Sequence, residues 1–410
     1  MTKEIVVIST MDTKGYESEY LVKKICDFGA PFDIRTINVD VGIRGEALGI
    51  QPDITRYEVA KAGGYDMTEV RKAVRGDAIA MMADGAKKVI KELYNNGQCD
   101  GIVSLCGGSG GSIIKEAMEM LPVGIPKMMA TPLASGPRPF EFYVKNRDIM
   151  IMHSVIDIIG INSISMMIYD NLAAAIVGAV AWRKTYEKGN KKTIGVTMIG
   201  NTTDGVTVLK KELEKCDYEV VCFHSSGVGG RAMEEMIKDG YFDGIVDYTT
   251  CEIFEDIIGG LQRGAGPDRM TVAGSYGIPQ VVVPGCVDFF DQGPIDTVPE
   301  HIAKKRKLFK HSPAFTLCKL TKEEMAYMGK VFAEKLNPAK GKVIIAVPLK
   351  GFSIPGCPGG PFEDNEATEM FVKNLKKHII PEIPVVEIDA HVNDSIFAKE
   401  VAKLFMQIAN

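Results

Sequence analysis

The chain has no surplus of positive charge: 48 Lys and Arg stand against 53 Asp and Glu, a formal net charge of −5 over 410 residues. A nucleic-acid backbone would find too little to hold it, so nucleic acid is not expected as the main ligand. A disulfide framework is missing as well. The nine cysteines are odd in number and contain no CxxC pair, and Cys106, Cys222, Cys286 and Cys318 sit inside apolar runs. Buried free thiols in a reducing, cytoplasmic compartment are the expectation. The opening MTKEIVVIST reads as a strand and lacks a signal-peptide layout. The longest apolar stretch, 149–161, is interrupted by His153, Asp157 and Gly160. It is too short and too polar to span a bilayer, so no membrane partner is expected. HExxH and kinase-type signatures are absent.

What the chain has is ordinary globular composition, 46% apolar and 25% charged, with 42 glycines that cluster. Its length exceeds one core, which predicts two domains. Short apolar runs alternate with amphipathic stretches, the pattern of α/β proteins with parallel sheets. In the first half, strands are expected at 4–9, 32–41, 101–106, 127–131 and 148–154, with helices at 16–28, 76–96 and 113–121. The long connection 42–74 reads as a functional excursion. A nearly all-apolar helix, 164–183, must be buried against the sheet or a second subunit. The polar segment KTYEKGNKK, 184–192, reads as a linker, dividing a Rossmann-like domain, 1–186, from a second α/β domain, 187–410. That second half carries more βα units than a small Rossmann lobe needs, so a TIM-barrel-like closure is expected.

The strongest local signal is LCGGSGGS at 105–112, a strand running through a glycine turn into a helix. Glycines let the backbone approach a ligand, and successive amides at a helix N-terminus attract anions. Ser109 and Ser112 add hydroxyls. The turn is neither GxGxxG nor a Walker A motif, whose Lys it lacks. A phosphate or carboxylate site competes here with a plain ligand-free turn. SSGVGGRAMEEM, 225–236, repeats the pattern, with Arg231 placed to clamp an anion. In STMDTKGYE, 9–17, Asp12, Thr13 and Lys14 stand at a strand end, where open α/β sheets bind ligands. Lys14 suits a phosphate and Asp12 a metal through water, while Asp12 or Thr13 also reads as a helix cap. ATPLASG, 130–136, brings Ser135 and Gly136 to another strand end, and Asp157 reads as a buried acid in need of a partner. In the second half His224, Asp247, Glu252, Asp288 and His391 fall near strand ends. His224 with Glu252 or Asp288 would make an acid/base set or a metal site, although the spacing matches no metal motif. The basic run KKRKLFK, 304–310, reads as a solvated helix face.

Taken in order, DTK (12–14), VDV (39–41), RG (75–76), GGSGG (107–111), ASG (134–136), VIDIIGIN (155–162), GVTM (195–198), GVGGRAMEEM (227–236), TTCE (249–252) and HVND (391–394) make the whole chain resemble the Tm-1-like ATP-binding (UPF0261) family. The resemblance implies a Rossmann-like N-terminal domain that binds ATP with Mg²⁺, a TIM-barrel-like C-terminal domain and a homodimer. It casts Arg75, Gly107, Gly108, Ser109, Gly110 and Gly111 as nucleotide contacts. Asp12, Thr13, Lys14, Asp40, Ser135 and Gly136 become neighbours of that site, and His224, Glu252 and Asp288 the pocket of the second domain. Asp291 stands where many relatives have Asn, and Lys319 where they tend to have Arg, whose bidentate fork Lys does not supply. The alternative to an ATP-binding protein is a metabolic enzyme, a hydrolase or C–C lyase, acting on a small carboxylated or phosphorylated substrate in the second domain.

Overall fold

The run Ile5–Ile8 is wholly inaccessible to solvent, which requires a sheet covered on both faces. It belongs to strand β1 (Lys3–Ser9), which pairs in parallel with β2 (Ile34–Asp40) on one side and β3 (Gly101–Leu105) on the other. β4 (Lys127–Thr131) and β5 (Ile149–His153) continue the sheet in the order β2-β1-β3-β4-β5. The computed structural model describes residues 2–135, 141–144, 146–184 and 189–409. The chain divides into two units, Met1–Tyr186 and Glu187–Asn410.

Alternation along the strands sorts the first unit's core into two layers. Ile5, Val7, Val103 and Leu105 pack against Leu21 and Ile25 of helix Met11–Gly29 and against Leu172, Ile176 and Val180 of helix Ser163–Ala181. Val6, Ile8 and Ile102 face Met82, Ala86 and Ile90 of helix Arg75–Asn95 and Ile113 and Ala117 of helix Gly108–Glu119. The helices that follow β1 and β3 therefore lie on opposite faces. The strand order reverses between those two neighbours, and such a reversal opens a crevice at their carboxyl ends.

Several local expectations shift. The glycine run is itself the first turn of helix Gly108–Glu119, which begins before the apolar residues that suggested it. The connection 42–74 contains two short helices, Arg56–Gly63 and Met67–Lys72, each started by a capping box. Helix Ser163–Ala181 has the length and apolarity to cross a membrane by composition, so 149–161 is not the stretch that decides that question. Asp157 is exposed rather than buried, accepting from the Ile158 amide at 2.8 Å. Cys222 is also exposed, whereas Cys106, Cys286 and Cys318 are buried.

The second unit holds β6 (Thr193–Met198), β7 (Glu219–His224), β8 (Gly244–Thr249), β9 (Gln280–Gly285), β10 (Phe289–Gln292), β11 (Leu308–Lys310), β12 (Thr316–Lys319), β13 (Val343–Pro348) and β14 (Val385–Ile388). Six of them form a parallel sheet in the order β14-β13-β9-β8-β6-β7. This corrects the barrel expectation. Among the described residues the edge strands β14 and β7 do not pair, and the order reverses between β6 and β8, so the sheet is open and doubly wound. The chain between β9 and β13 adds no parallel strand and forms the antiparallel sheet β10-β12-β11. Antiparallel strands cannot extend a parallel barrel. β11 also replaces the expected helix face in KKRKLFK, where Arg306 pairs with Glu324 at 2.9 and 3.0 Å.

Two glycines of one helix test this packing. A Cβ on Gly85 would fall 1.9 Å from the Val59 carbonyl oxygen of the adjoining helix, whereas a Cβ on Gly76 would meet nothing within 4 Å. Gly85→Ala is expected to lose about 2 kcal/mol in urea unfolding, and Gly76→Ala to gain about 0.5 kcal/mol. Equal midpoints for the two variants would contradict the close approach.

Candidate functional site

The crevice between the ends of β1 and β3 is a cavity of about 290 Å³. Thr10, Asp12, Thr13 and Lys14 line it from the turn after β1, and Gly107, Gly108, Ser109 and Gly110 from the turn after β3. Gly107 is the extended N-cap of helix Gly108–Glu119, and the first intrahelical bond runs from the Gly111 amide to the Gly107 carbonyl at 2.8 Å. Among the described residues nothing accepts from the amides of Gly108, Ser109 and Gly110. Unsatisfied donors at a helix N-terminus, with the positive end of the helix dipole behind them, suit an anion.

Side chains reinforce that sign. Arg75 donates from Nη2 to Ser109 Oγ at 2.7 Å, and Lys14 donates from Nζ to the Ile158 carbonyl. Arg44 and the apolar side chains of Ile43, Ile79 and Ile113 complete the wall. Asp12 is the acid in this lining, and its Oδ2 accepts from the amides of Arg44 at 2.7 Å and Gly45 at 3.2 Å. It is therefore not the helix cap. Thr10 takes the N-cap position with its carbonyl, without a side-chain bond, and Thr13 Oγ1 donates back to that carbonyl. Asp40 lies behind the wall, accepting at Oδ1 from the amides of Met11 at 3.0 Å and Gly42 at 2.8 Å. Burial raises its pKa, those two amides oppose the rise, and nearby Asp12 adds to it.

Of the residues expected here, Asp12, Thr13, Lys14, Arg75, Gly107, Gly108, Ser109 and Gly110 line the cavity, while Asp40, Gly111, Ser112 and Ser135 do not. Gly111 backs onto Tyr143 and Cys106, Ser112 Oγ donates to the Gly108 carbonyl, and Ser135 meets His153 at 3.2 Å. Gly136 lies outside the described residues. Thr10, Ile43, Arg44, Ile79 and Ile113 went unforeseen. Ile79 stands one helical turn after Arg75, a spacing that could have flagged it. The run 107–111 also has G-x-S-x-G spacing, the mark of a nucleophile elbow. Ser109, however, sits in a regular first helical turn without positive φ, and its hydroxyl meets an Arg rather than a base. Burial pushes the Cys106 thiol up to about 12, which leaves it inert.

A phosphate group fits this donor set. No cluster of three or more His, Cys, Asp or Glu side chains able to hold a metal occurs among the described residues. Mg²⁺ would accordingly be held by phosphate oxygens and water, with Asp12 as the nearby protein carboxylate, the manner in which this ion usually meets nucleotide sites.

In the second unit, the glycine turn 225–230 differs from the first. Glu252, wholly buried, accepts at Oε1 from the amides of Gly227 at 2.7 Å and Gly230 at 3.1 Å. Its Oε2 takes the Nε of Arg269 at 2.6 Å, while the rest of that buried guanidinium grips Asp247 and the Thr249 carbonyl. The protein's own carboxylate thus occupies the amides that read as an anion site. His224 is exposed on the edge strand β7. Asp288, just past β9, is buried and takes Ser353 Oγ at 2.7 Å, with its other oxygen unpartnered among the described residues. Three inter-strand spacings separate β7 from β9, roughly 14 Å, so His224 and Asp288 do not converge. His391 donates from Nε2 to the Ser353 carbonyl at 2.8 Å and accepts at Nδ1 from the Asn393 amide at 3.2 Å.

Fold and site together define an α/β protein of two open, doubly wound units, the first with a cation-lined cavity at its switch point. The chain belongs to the family described as Uncharacterised protein family (UPF0261), whose N-terminal domain matches residues 3–185 and whose C-terminal domain matches 191–409. It is 42% identical to a UPF0261 protein of Clostridium tetani over 98% of both chains. It is 35% identical to UPF0261 protein RA0729 of Rhizobium meliloti over the full length of both. It is 34% identical to the ToMV resistance protein Tm-1(GCR237) of Solanum lycopersicum over 82% of this chain and 45% of that one.

One acidic pair in the second unit has no cation paired with it among the described residues. Glu255 and Asp291 are both buried and share a side-chain hydrogen bond, and Glu255 also accepts from the amides of Asp291 at 2.6 Å and Gln262 at 3.2 Å. Burial raises both, and Asp291 raises Glu255 further, so the pair titrates up to about 7 for Asp291 and about 8 for Glu255. Unfolded carboxyls titrate near 4, so the folded state binds the extra proton. Its stabilisation is complete below about pH 4 and is lost as pH rises through the folded values. Unfolding in urea is expected to show stability falling steadily from pH 6 to pH 8. Asp291→Asn, which keeps a donor toward Glu255, should flatten that fall. An unchanged slope in the variant would contradict the shared proton.

Proposed function

We propose that the protein is a cytoplasmic ATP-binding protein that takes its nucleotide with Mg²⁺ in the first unit, the phosphates resting on the amides of Gly108, Ser109 and Gly110. The observation that carries this reading is the set of three amides without an acceptor among the described residues, at a topological switch point and ringed by Lys14, Arg44 and Arg75. Ile43, Ile79 and Ile113 offer an apolar surface on which a base can pack. The Tm-1-like family resemblance supports the same ligand. All nine cysteines are free, which suits a reducing compartment. The enzyme alternative gains no support from this set, since His224 and Asp288 stand apart and Glu252 is spent on the amides of Gly227 and Gly230 and on Arg269.

A homodimer is part of the proposal. Helix Ser163–Ala181 and its flanks expose Val155, Ile159, Met167 and Trp182 at 60–76% of their surface, apolar side chains that a second copy would cover. Light scattering is expected to give twice the chain mass, and Met167→Asp to shift it toward the monomer; a monomeric wild type would refute the pairing.

Titration calorimetry with ATP and Mg²⁺ tests the site. Gly107 lines the cavity and a Cβ there would meet nothing within 4 Å, so Gly107→Val adds bulk beside the amides at the cost of a poorer helix cap. The variant is expected to bind at least tenfold more weakly while still unfolding cooperatively, its melting temperature lowered by no more than a few degrees. Wild-type affinity in that variant would refute the placement.

A further inference from the structure

We propose that Arg44 is a phosphate-binding residue of the first unit and that the buried Arg56 is the positioning residue that aims it, an inference resting on the ATP-binding reading above. Among the described residues lining the cavity, Lys14 and Arg75 already have hydrogen-bond partners, whereas the guanidinium of Arg44 has none. Its backbone, by contrast, is fixed from two sides. Asp12 Oδ2 takes the amides of Arg44 and Gly45 at 2.7 and 3.2 Å, and the Leu48 amide donates to the Met11 carbonyl at 3.0 Å. A Cβ on Gly15 would fall 1.9 Å from the Leu48 carbonyl oxygen, so the loop lies directly on helix Met11–Gly29 and only glycine permits that approach.

From the other side comes Arg56, 1% exposed at the start of helix Arg56–Gly63. Its Nη1 donates to the Gly45 carbonyl and its Nη2 to Glu46 Oε1. The same Glu46 oxygen accepts from Tyr57 Oη at 2.6 Å and from Arg71 at 3.3 Å. Burying a guanidinium is costly unless its donors are used. Here Nη1 and Nη2 are spent on the two residues that follow Arg44, and Nη2 also reaches Tyr57 Oη at 3.1 Å, while Nε has no partner among the described residues. The result is a fixed loop carrying an exposed cation, unpaired among the described residues, in the lining of the cavity. A charge held that way draws in a polyanion and loses little backbone entropy on binding it.

The test is calorimetric titration of the full chain with ATP and Mg²⁺ at two salt concentrations, using wild type, Arg44→Ala, Arg44→Lys, Arg56→Met, Glu46→Gln and the Arg44→Ala/Arg56→Met double variant. Arg44→Ala is expected to weaken binding roughly tenfold to a hundredfold and to reduce its salt dependence, with Arg44→Lys recovering part of the loss. Arg56→Met should weaken binding by a smaller factor and add nothing in the Arg44→Ala background, because it acts through that residue. Should Arg56→Met fail to fold, Glu46→Gln, on a 69% exposed side chain, carries the same expectation. Arg44→Ala binding within twofold of wild type, while Gly107→Val loses binding, overturns the role of Arg44 and leaves the ATP site standing. Additive losses in the double variant overturn the positioning role of Arg56. A wild type that binds no ATP overturns both this inference and the reading beneath it.

Discussion

Every backbone N–H taken from water must find an acceptor, and the first turn of a helix cannot supply its own. That constraint organises both units. In each, a reversal of strand order leaves room at the carboxyl ends of neighbouring strands, and in each a glycine turn opens a helix near that end of the sheet. The second unit closes the matter internally: Glu252 bonds the amides of Gly227 and Gly230, and Arg269 secures Glu252. A Cβ on Gly230 would fall 1.9 Å from Glu252 Oε2, so the glycine there serves a contact within the protein. In the first unit no described carboxylate takes that place, and the amides of Gly108, Ser109 and Gly110 face a cavity.

The surroundings of the two turns follow the same logic. Around Glu252, buried charges answer one another: Arg269 faces Asp247, Glu252 and Glu234, and burial pushes Glu234 up to about 7 even so. A network of that kind fixes geometry and leaves nothing over for a ligand. Around Gly107–Gly110 the acids turn away. Asp40 and Asp12 spend oxygens on backbone amides of the strand ends and the following loop, which holds the loop in place and leaves the cationic side chains to face the cavity.

The chemistry that depends on local order was legible in the sequence. Strand, glycine turn and helix follow one another within a few residues, so the 105–112 run announced itself, as did Asp12, Thr13 and Lys14 at the end of β1. What depends on distant contacts was not. Arg44 enters the cavity because Arg56 and Asp12 pin its loop, and no periodicity encodes that. Glu252 reads like a free catalytic acid until the fold lays it across Gly227 and Gly230. Strand order is equally non-local: counting βα units suggested a barrel, yet the residues between β9 and β13 pair antiparallel and the sheet stays open. Asp157 misled because an apolar neighbourhood in sequence need not be a buried one.

The decisive point is whether bare peptide groups receive the phosphates. A crystal structure of the full chain grown with ATP and Mg²⁺ measures that directly. Phosphate oxygens are expected within hydrogen-bonding distance of the Gly108, Ser109 and Gly110 amides. A nucleotide bound elsewhere, with those amides turned to water or to a protein acceptor, would contradict it.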